Sequence, residues 1–435
     1  MMNWDQLLSA VRFGQESLDT RQHSRTEFQR DYDRLIFSPS FRRLQNKTQV
    51  FPLPGAIFVH NRLTHSLEVA SVGRSLGTSV GMALKEKYAG QPWIDKLDSL
   101  DDIVAAACLA HDMGNPPFGH SGERAIISYF REGEGAKFKD KLSDQQWADL
   151  THFDGNANAF RLLTHQFLGH RQGGFAMTYS TLASIIKYPY ASTEAGKKSK
   201  FGYFQSEEES FKQLVERLGM LPGARHPLCY LVEAADDICY QIMDIEDAHN
   251  LKLLSTQDTK DLLLNFFEGE MRQRIERGIT HVPDINEQIG YLRSRVIGTL
   301  VYECTEAFLA HEEEILQGTF QKPLINYVGQ TPAEAYAHCS KVAFSRIYNS
   351  SDVVDIEVAG YQIITTLLDK LVNAVLNPER SYSRLLIDRI PLQYETRATG
   401  VYERIMAVLD YVSGMTDVYA LDLYRKIFGM SLPSL

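Results

Sequence analysis

A chain of 435 residues, 44% hydrophobic and 23% charged, has the balance of an ordinary globular protein and is long enough to bury a sizeable core. Its five scattered cysteines include no C-x-x-C pair, and its longest purely apolar run, residues 103–110, is too short to cross a bilayer. With a net charge of −10, the surface as a whole should repel nucleic acid and anionic lipid, so a polyanionic ligand needs a local basic site.

The opening MMNWDQLLSAVRFGQ lacks a basic stretch followed by an apolar run, so no secretory leader is expected and a reducing, cytoplasmic setting is the default. Arg42, Arg43 and Lys47 form a first basic concentration. Residues 50–58 read as short and extended, because Pro52, Pro54 and Gly55 break any helix. Leu63, Leu67, Ala70 and Leu76 then recur at helical spacing, as do Ile103, Ala106, Ala107 and Ala110. This second helix should run from Asp101 to the stop at Gly114-Asn115-Pro116-Pro117, placing His111 and Asp112 in its last turn. Residues 133–141 and 283–286 are candidate breaks, and residues 188–206 are the most loop-like stretch, with Lys197, Lys198 and Lys200 as a second basic concentration. Leu228, Leu231, Ala235, Ile238 and Ile242 mark another helix, and Val358, Ile363, Leu367, Leu371 and Val375 a long one. No repeat or low-complexity tether interrupts the chain. An all-α fold is expected, with residues 1–435 as one large helical domain and the C-terminal third packed on the core or on a neighbouring subunit.

An adjacent His and Asp at the end of an apolar helix are costly to desolvate without a partner. A capping or pairing role satisfies that demand, and so does a cation. His65 in RLTHSLEVA and Asp236 in EAADDICYQIMDIED lie on helices of the same kind. Two imidazoles and two carboxylates suit Mn²⁺, Fe²⁺, Co²⁺, Ni²⁺ or Zn²⁺, and Mg²⁺ is also compatible. Four such ligands leave room on a six-coordinate ion for water and a phosphoryl oxygen.

The ordered series H…HD…D resembles the HD-domain phosphohydrolases. The flanking segments RDYDRLIFSPSFRRLQNKTQVF, HNRLTHSLEVA, HDMGNPPFGHSGE, FDGNANAFRLL, KYPY, KFGYFQSEE and EAADDICYQIMDIEDA are similar to the deoxyguanosine triphosphate triphosphohydrolase family. The resemblance implies an HD helical core over residues 55–260, with further C-terminal helices over 261–435. It implies one catalytic metal, Mn²⁺ or Mg²⁺ first, on His65, His111, Asp112 and Asp236. His120 and Glu123 match the catalytic pair, and their i, i+3 spacing lets the carboxylate orient the imidazole.

Asp236, Tyr240 and Asp244 fall on one helical stripe. By the resemblance, Tyr240 lies against the deoxyribose and Asp244 accepts from its 3′-hydroxyl. Gln49 and Val50 approach sugar and base, Arg62 the α-phosphate, and Lys187, Tyr188, Lys200 and Asn156 the outer phosphates. Taken singly, each of these has an ordinary structural reading: a surface cation, a loop amide or a core valine. Arg346 and Tyr348 are suggestive, but no C-terminal motif matches residue by residue. No Walker motif G-x-x-x-x-G-K-[ST] is present.

The implied reaction is hydrolysis of a 2′-deoxynucleoside triphosphate, dGTP first, to deoxynucleoside and inorganic triphosphate. Alternatives are another HD nucleotidase or phosphodiesterase, or a sensor of dNTPs or single-stranded DNA. Implied partners are the dNTP, nucleotide activators and further copies of the chain as a tetramer or hexamer. No membrane partner is expected.

Overall fold

A computed structural model describes residues 1–17, 24–51, 59–169, 171–196 and 199–430. Residues 52–58, most of the expected extended stretch, and Lys197 and Lys198 lie outside the described residues. Within the described residues the chain is helical and contains no sheet, only isolated bridges such as Thr48 with Asn61.

The helices that position the site are α1 (Glu27–Ile36), α2 (Arg62–Lys87), α3 (Leu100–Ala110), α4 (His120–Arg131), α5 (Pro227–Asn250), α6 (Ile285–Ala310), α7 (Ser351–Leu376), α8 (Val401–Ser413) and α9 (Asp417–Ile427). Helix α3 is the central rod. Every residue in it except Asp101 is buried, and α1, α2 and α5 pack around it. The contact with α2 is unusually close because Gly73, Gly77 and Gly81 make a stripe along α2. A Cβ on Gly77 would stand 2.6 Å from the Asp101 Cα, and one on Gly73 would stand 2.6 Å from the Cys108 sulfur. Small residues thus bring the His65 helix against the His111 helix.

Two apolar groups form the interior. The larger draws on α2, α3, α5 and α6, with residues such as Leu76, Ile103, Ile238 and Leu300. The second joins α4 to α7 and α8 through Ile126, Phe130, Ile364, Leu368 and Val408. Helix α4 lies along α7, and α9 packs on α7 through its own apolar face. Helical spacing alone did not reveal which apolar residues face inward. Leu67 and Val358, both in periodic runs, are 38% and 66% exposed.

His226 caps α5 and is fully buried. Its Nδ1 accepts from the Leu228 backbone N–H at 3.2 Å, and its Nε2 donates to the Leu7 carbonyl at 3.2 Å. Only the neutral ring can do both, and burial pushes its pKa down to about 4. Between pH 6.5 and 4 the unfolded chain therefore binds a proton that the folded chain refuses. Stability should fall across that window by up to about 3 kcal/mol. Urea unfolding at stepped pH checks this: His226→Asn should remove one proton from the slope, and an unchanged slope would contradict it.

Candidate active site

Helix α2 opens with a capping box, in which Asn61 accepts from the Thr64 backbone N–H and Thr64 Oγ1 accepts from that of Asn61. Arg62 and His65 therefore occupy a fixed first turn. Helix α3 ends at Ala110, so His111 is its C-cap and Asp112 lies in the turn beyond. This corrects the expected placement of both in the last helical turn. The reason is the tight approach of Gly114, where a Cβ would stand 2.2 Å from the Gly155 carbonyl oxygen and draws the chain away early.

The His111 Nδ1–H donates to the Cys108 carbonyl at 2.6 Å, so Nε2 is the nitrogen turned into the cluster, where a cation would take the place of its proton. That atom is buried and without a hydrogen-bond partner, 3.5 Å from Asp236 Oδ1 and 3.7 Å from Asp112 Oδ1. His65 Nε2 lies 3.1 Å from Asp236 Oδ1. Ligand atoms of His65, His111 and Asp112 all fall within 4.8 Å of one another. Burial opposes charge on His111, yet Asp112 and Asp236 raise its pKa to about 9. Burial also opposes ionisation of Asp112 and Asp236. Arg62 and His111 nonetheless lower the first, and His111 with His65 takes the second well below the carboxylate range. An orphaned imidazole nitrogen among two carboxylates that attract positive charge fits a divalent cation.

Beside this cluster, α4 starts after two residues in the left-handed region, Phe118 at φ 62° and Gly119 at φ 57°. Phenylalanine there costs about 1–2 kcal/mol. Glycine suits position 119 because its φ of 57° with ψ of −127° is a conformation that other residues rarely adopt. His120 is 70% exposed, and its Nδ1 donates to the buried Glu123 Oε2 at 2.9 Å. Glu123 Oε1 accepts from the Gly155 N–H at 2.7 Å. Burial alone would raise the Glu123 pKa, but His120, Lys200 and that N–H take it down to about 2. The carboxylate is thus a fixed anion that orients the ring and leaves His120 Nε2 outward.

These groups share a cavity of about 310 Å³. Its cations are Arg62, Lys187 and Lys200, the local basic site that an acidic chain needs. Arg62 donates to Asp112 Oδ2 at 2.7 Å while its Nε has no partner among the described residues. Lys187 lies 3.0 Å from Glu233, and Lys200 lies 3.5 Å from Asp154 and 3.7 Å from Glu123.

Residues 62–172 match the HD domain family, and residues 327–426 match the phosphohydrolase-associated domain. A Synechocystis protein named deoxyguanosinetriphosphate triphosphohydrolase-like is 38% identical over 99% of this chain and all of its own length. The chain belongs to the deoxyguanosinetriphosphate triphosphohydrolase family. A Pseudomonas aeruginosa relative of the same name is 37% identical over the full length of both chains. A Yersinia enterocolitica deoxyguanosinetriphosphate triphosphohydrolase is 31% identical over 98% of this chain and 99% of its own. Within the described residues, this family member has no helix long and apolar enough to span a membrane.

Of the residues singled out from sequence, Gln49, Arg62, His111, Asp112, His120, Glu123, Asn156, Lys187, Tyr188, Lys200, Asp236 and Tyr240 line the cavity of this triphosphohydrolase relative. His65 lies just beneath, buried against Asp236. Val50 instead packs on the larger apolar group. Asp244 is held below Tyr240 by the Tyr348 hydroxyl at 2.6 Å, and the two tyrosine rings stack at 6.0 Å. Arg346 points elsewhere, pairing with exposed Asp258 at 3.2 Å.

Four participants escaped the sequence reading. Asn115 donates through Nδ2 to Asp112 Oδ1. Asp154 gathers Asn156, through Nδ2 at 2.9 Å, and Lys200. Glu233 pairs with Lys187 and with Arg225 at 2.9 Å. It could have been found by extending the Asp236–Tyr240 stripe one turn upstream. Asp417, on the last described helix, accepts from the Phe118 N–H two residues before His120, and no local signal marks it.

Proposed function

We propose that the protein hydrolyses 2′-deoxynucleoside 5′-triphosphates, dGTP foremost, by attack at the α-phosphorus, releasing deoxynucleoside and inorganic triphosphate. The observation that carries this reading is one cavity combining the His–Asp cluster, the His120–Glu123 pair, three cations and Tyr240. The curated names of the relatives point to the same substrate. We read residues 55–260 as the catalytic core, 261–435 as its support, and the chain as one working unit.

His65, His111, Asp112 and Asp236 would hold a divalent ion, Mn²⁺ or Mg²⁺ first, which when bound would supply Lewis-acid polarisation of a phosphoryl oxygen. Arg62, with its Nε free of any partner among the described residues, offsets charge on the α-phosphate. Lys187 and Lys200 exchange their carboxylate partners in part for the outer phosphates, with Tyr188 and Asn156 alongside. His120 moves the proton through Nε2, toward water or toward the leaving 5′-oxygen, while Glu123 holds the ring. At the sugar end, the Tyr240 ring, backed by the stacked Tyr348 ring, forms a wall that disfavours a 2′-hydroxyl. Gln49 Oε1, buried and without a partner among the described residues, is the open acceptor there. Asp244, pushed up to about 8 by burial, secures Tyr348.

A panel of the four dNTPs, singly and mixed, beside GTP, dAMP and a cyclic nucleotide, with Mn²⁺ or Mg²⁺, tests this. Turnover of dNTPs with GTP at least about tenfold slower supports the tyrosine wall, since one misplaced hydroxyl in a closed pocket costs about that much. Preferred cleavage of the monophosphate or the cyclic nucleotide would overturn the reading. Rate changes in mixtures would reveal nucleotide activation, and sedimentation would decide between tetramer and hexamer.

A further inference from the structure

The cavity lies on a seam. The His–Asp cluster stands on α2, α3 and α5 of the larger apolar group, whereas His120 and Glu123 stand on α4, which belongs to the second. Chemistry across this seam needs the two sides held in register, and fully satisfied buried polar contacts rigidify and specify such an arrangement.

We propose that Asp417, at the first turn of α9, is a positioning residue that locks the two sides of the catalytic cavity together. This rests on the functional reading above. The residue is 7% exposed, and its carboxylate serves two loops far away in the chain. Oδ2 accepts from the Thr48 backbone N–H at 2.8 Å and from the Thr48 hydroxyl at 2.5 Å. Oδ1 accepts from the Phe118 N–H at 2.9 Å. Thr48 immediately precedes Gln49, the open acceptor of the cavity. Phe118 is two residues before His120 and is itself in the left-handed region.

A second strap runs parallel. The buried Lys47 ammonium donates to the Asn115 carbonyl at 2.6 Å and to the Ser413 carbonyl at 2.7 Å, at the end of α8. Both straps end between α8 and α9, within the stretch matching the phosphohydrolase-associated domain. That stretch thereby becomes part of the active site without lining it.

The anchoring chemistry calls for a carboxylate. Two oxygens accept from donors on opposite loops, so an amide at this position must turn its NH₂ toward one of them. The docking of α9 is separable, because Ala420 and Leu423 bury its apolar face independently. Loss of the carboxylate should therefore loosen the loops and leave the helix in place.

The test uses the full chain with Asp417→Ala, Asp417→Asn and the milder Thr48→Val. For Asp417→Ala, kcat should fall about 100-fold with KM changed far less, as expected when a reacting group is misplaced by an ångström. Asp417→Asn should fall between, and Thr48→Val should stay closest to the parent. Amide exchange in the substrate-free protein should quicken in residues 46–51 and 115–122 but not in residues 103–110. In a His120→Ala background, Asp417→Ala should add less than about threefold, because both changes disable the same group. Unchanged exchange in both loops, faster exchange throughout α3, or fully additive losses would each overturn the proposal. The exchange result judges it even if the wild-type protein leaves triphosphates intact, an outcome that counts against the functional reading alone.

Discussion

Asp236→Ala should reduce metal-dependent turnover about a thousandfold or more, since bound-ion electrostatics supply several kcal/mol and each 1.4 kcal/mol is tenfold in rate. Asp236 is the hub of the cluster, within 3.1 Å of His65 Nε2 and 3.5 Å of His111 Nε2. Without its carboxylate, the two imidazoles lose the anion that draws positive charge to them. The variant should therefore also lose the rise in melting temperature that Mn²⁺ gives the parent, because an ion that binds only the folded state stabilises it by mass action. Asp236 is partly exposed at the cavity floor. The metal-free variant should accordingly fold. Turnover with Mn²⁺ and melting with and without the ion are the two measurements. Near-parental metal-dependent turnover would contradict the assignment.

His120→Ala should lower kcat by about 10²–10⁴-fold, the usual contribution of a positioned acid or base. The ring is 70% exposed and, among the described residues, hydrogen-bonds to the side chain of Glu123, so its removal should shift stability by no more than about 0.5 kcal/mol. Glu123→Gln acts through the same ring, and the double variant should be scarcely slower than His120→Ala. The pH profile separates the roles. Glu123 is held down to about 2 and stays charged across the working range, so this carboxylate should add no limb to the profile. Steady-state kinetics from pH 5 to 9 on the three variants measure this. Equal and independent losses at the two positions would show that they do not act as a pair.

Legibility from sequence followed the range of the interactions. The His111–Asp112 pair, the His120–Glu123 turn and the Asp236–Tyr240–Asp244 stripe are local: the first is adjacent in the chain, and helical spacing brings the other two together. The glycine stripe at 73, 77 and 81 was equally visible but means nothing until α3 is known to lie on it. Tyr348 joins Tyr240 only because the C-terminal half returns over α5. Val50 precedes a stretch outside the described residues and turns to the core. Asp417 is the extreme case: it holds Thr48 from 369 residues away, and no periodicity or motif spans that distance.

The most direct test of the central claim is the fate of water oxygen during hydrolysis of dGTP in H₂¹⁸O, read by ³¹P NMR and mass spectrometry. Attack at the α-phosphorus with release of deoxyguanosine predicts inorganic triphosphate as the sole phosphorus product, carrying one ¹⁸O on a terminal phosphate, and unlabelled deoxyguanosine. Orthophosphate with dGDP, pyrophosphate with dGMP, or label in the nucleoside would contradict it.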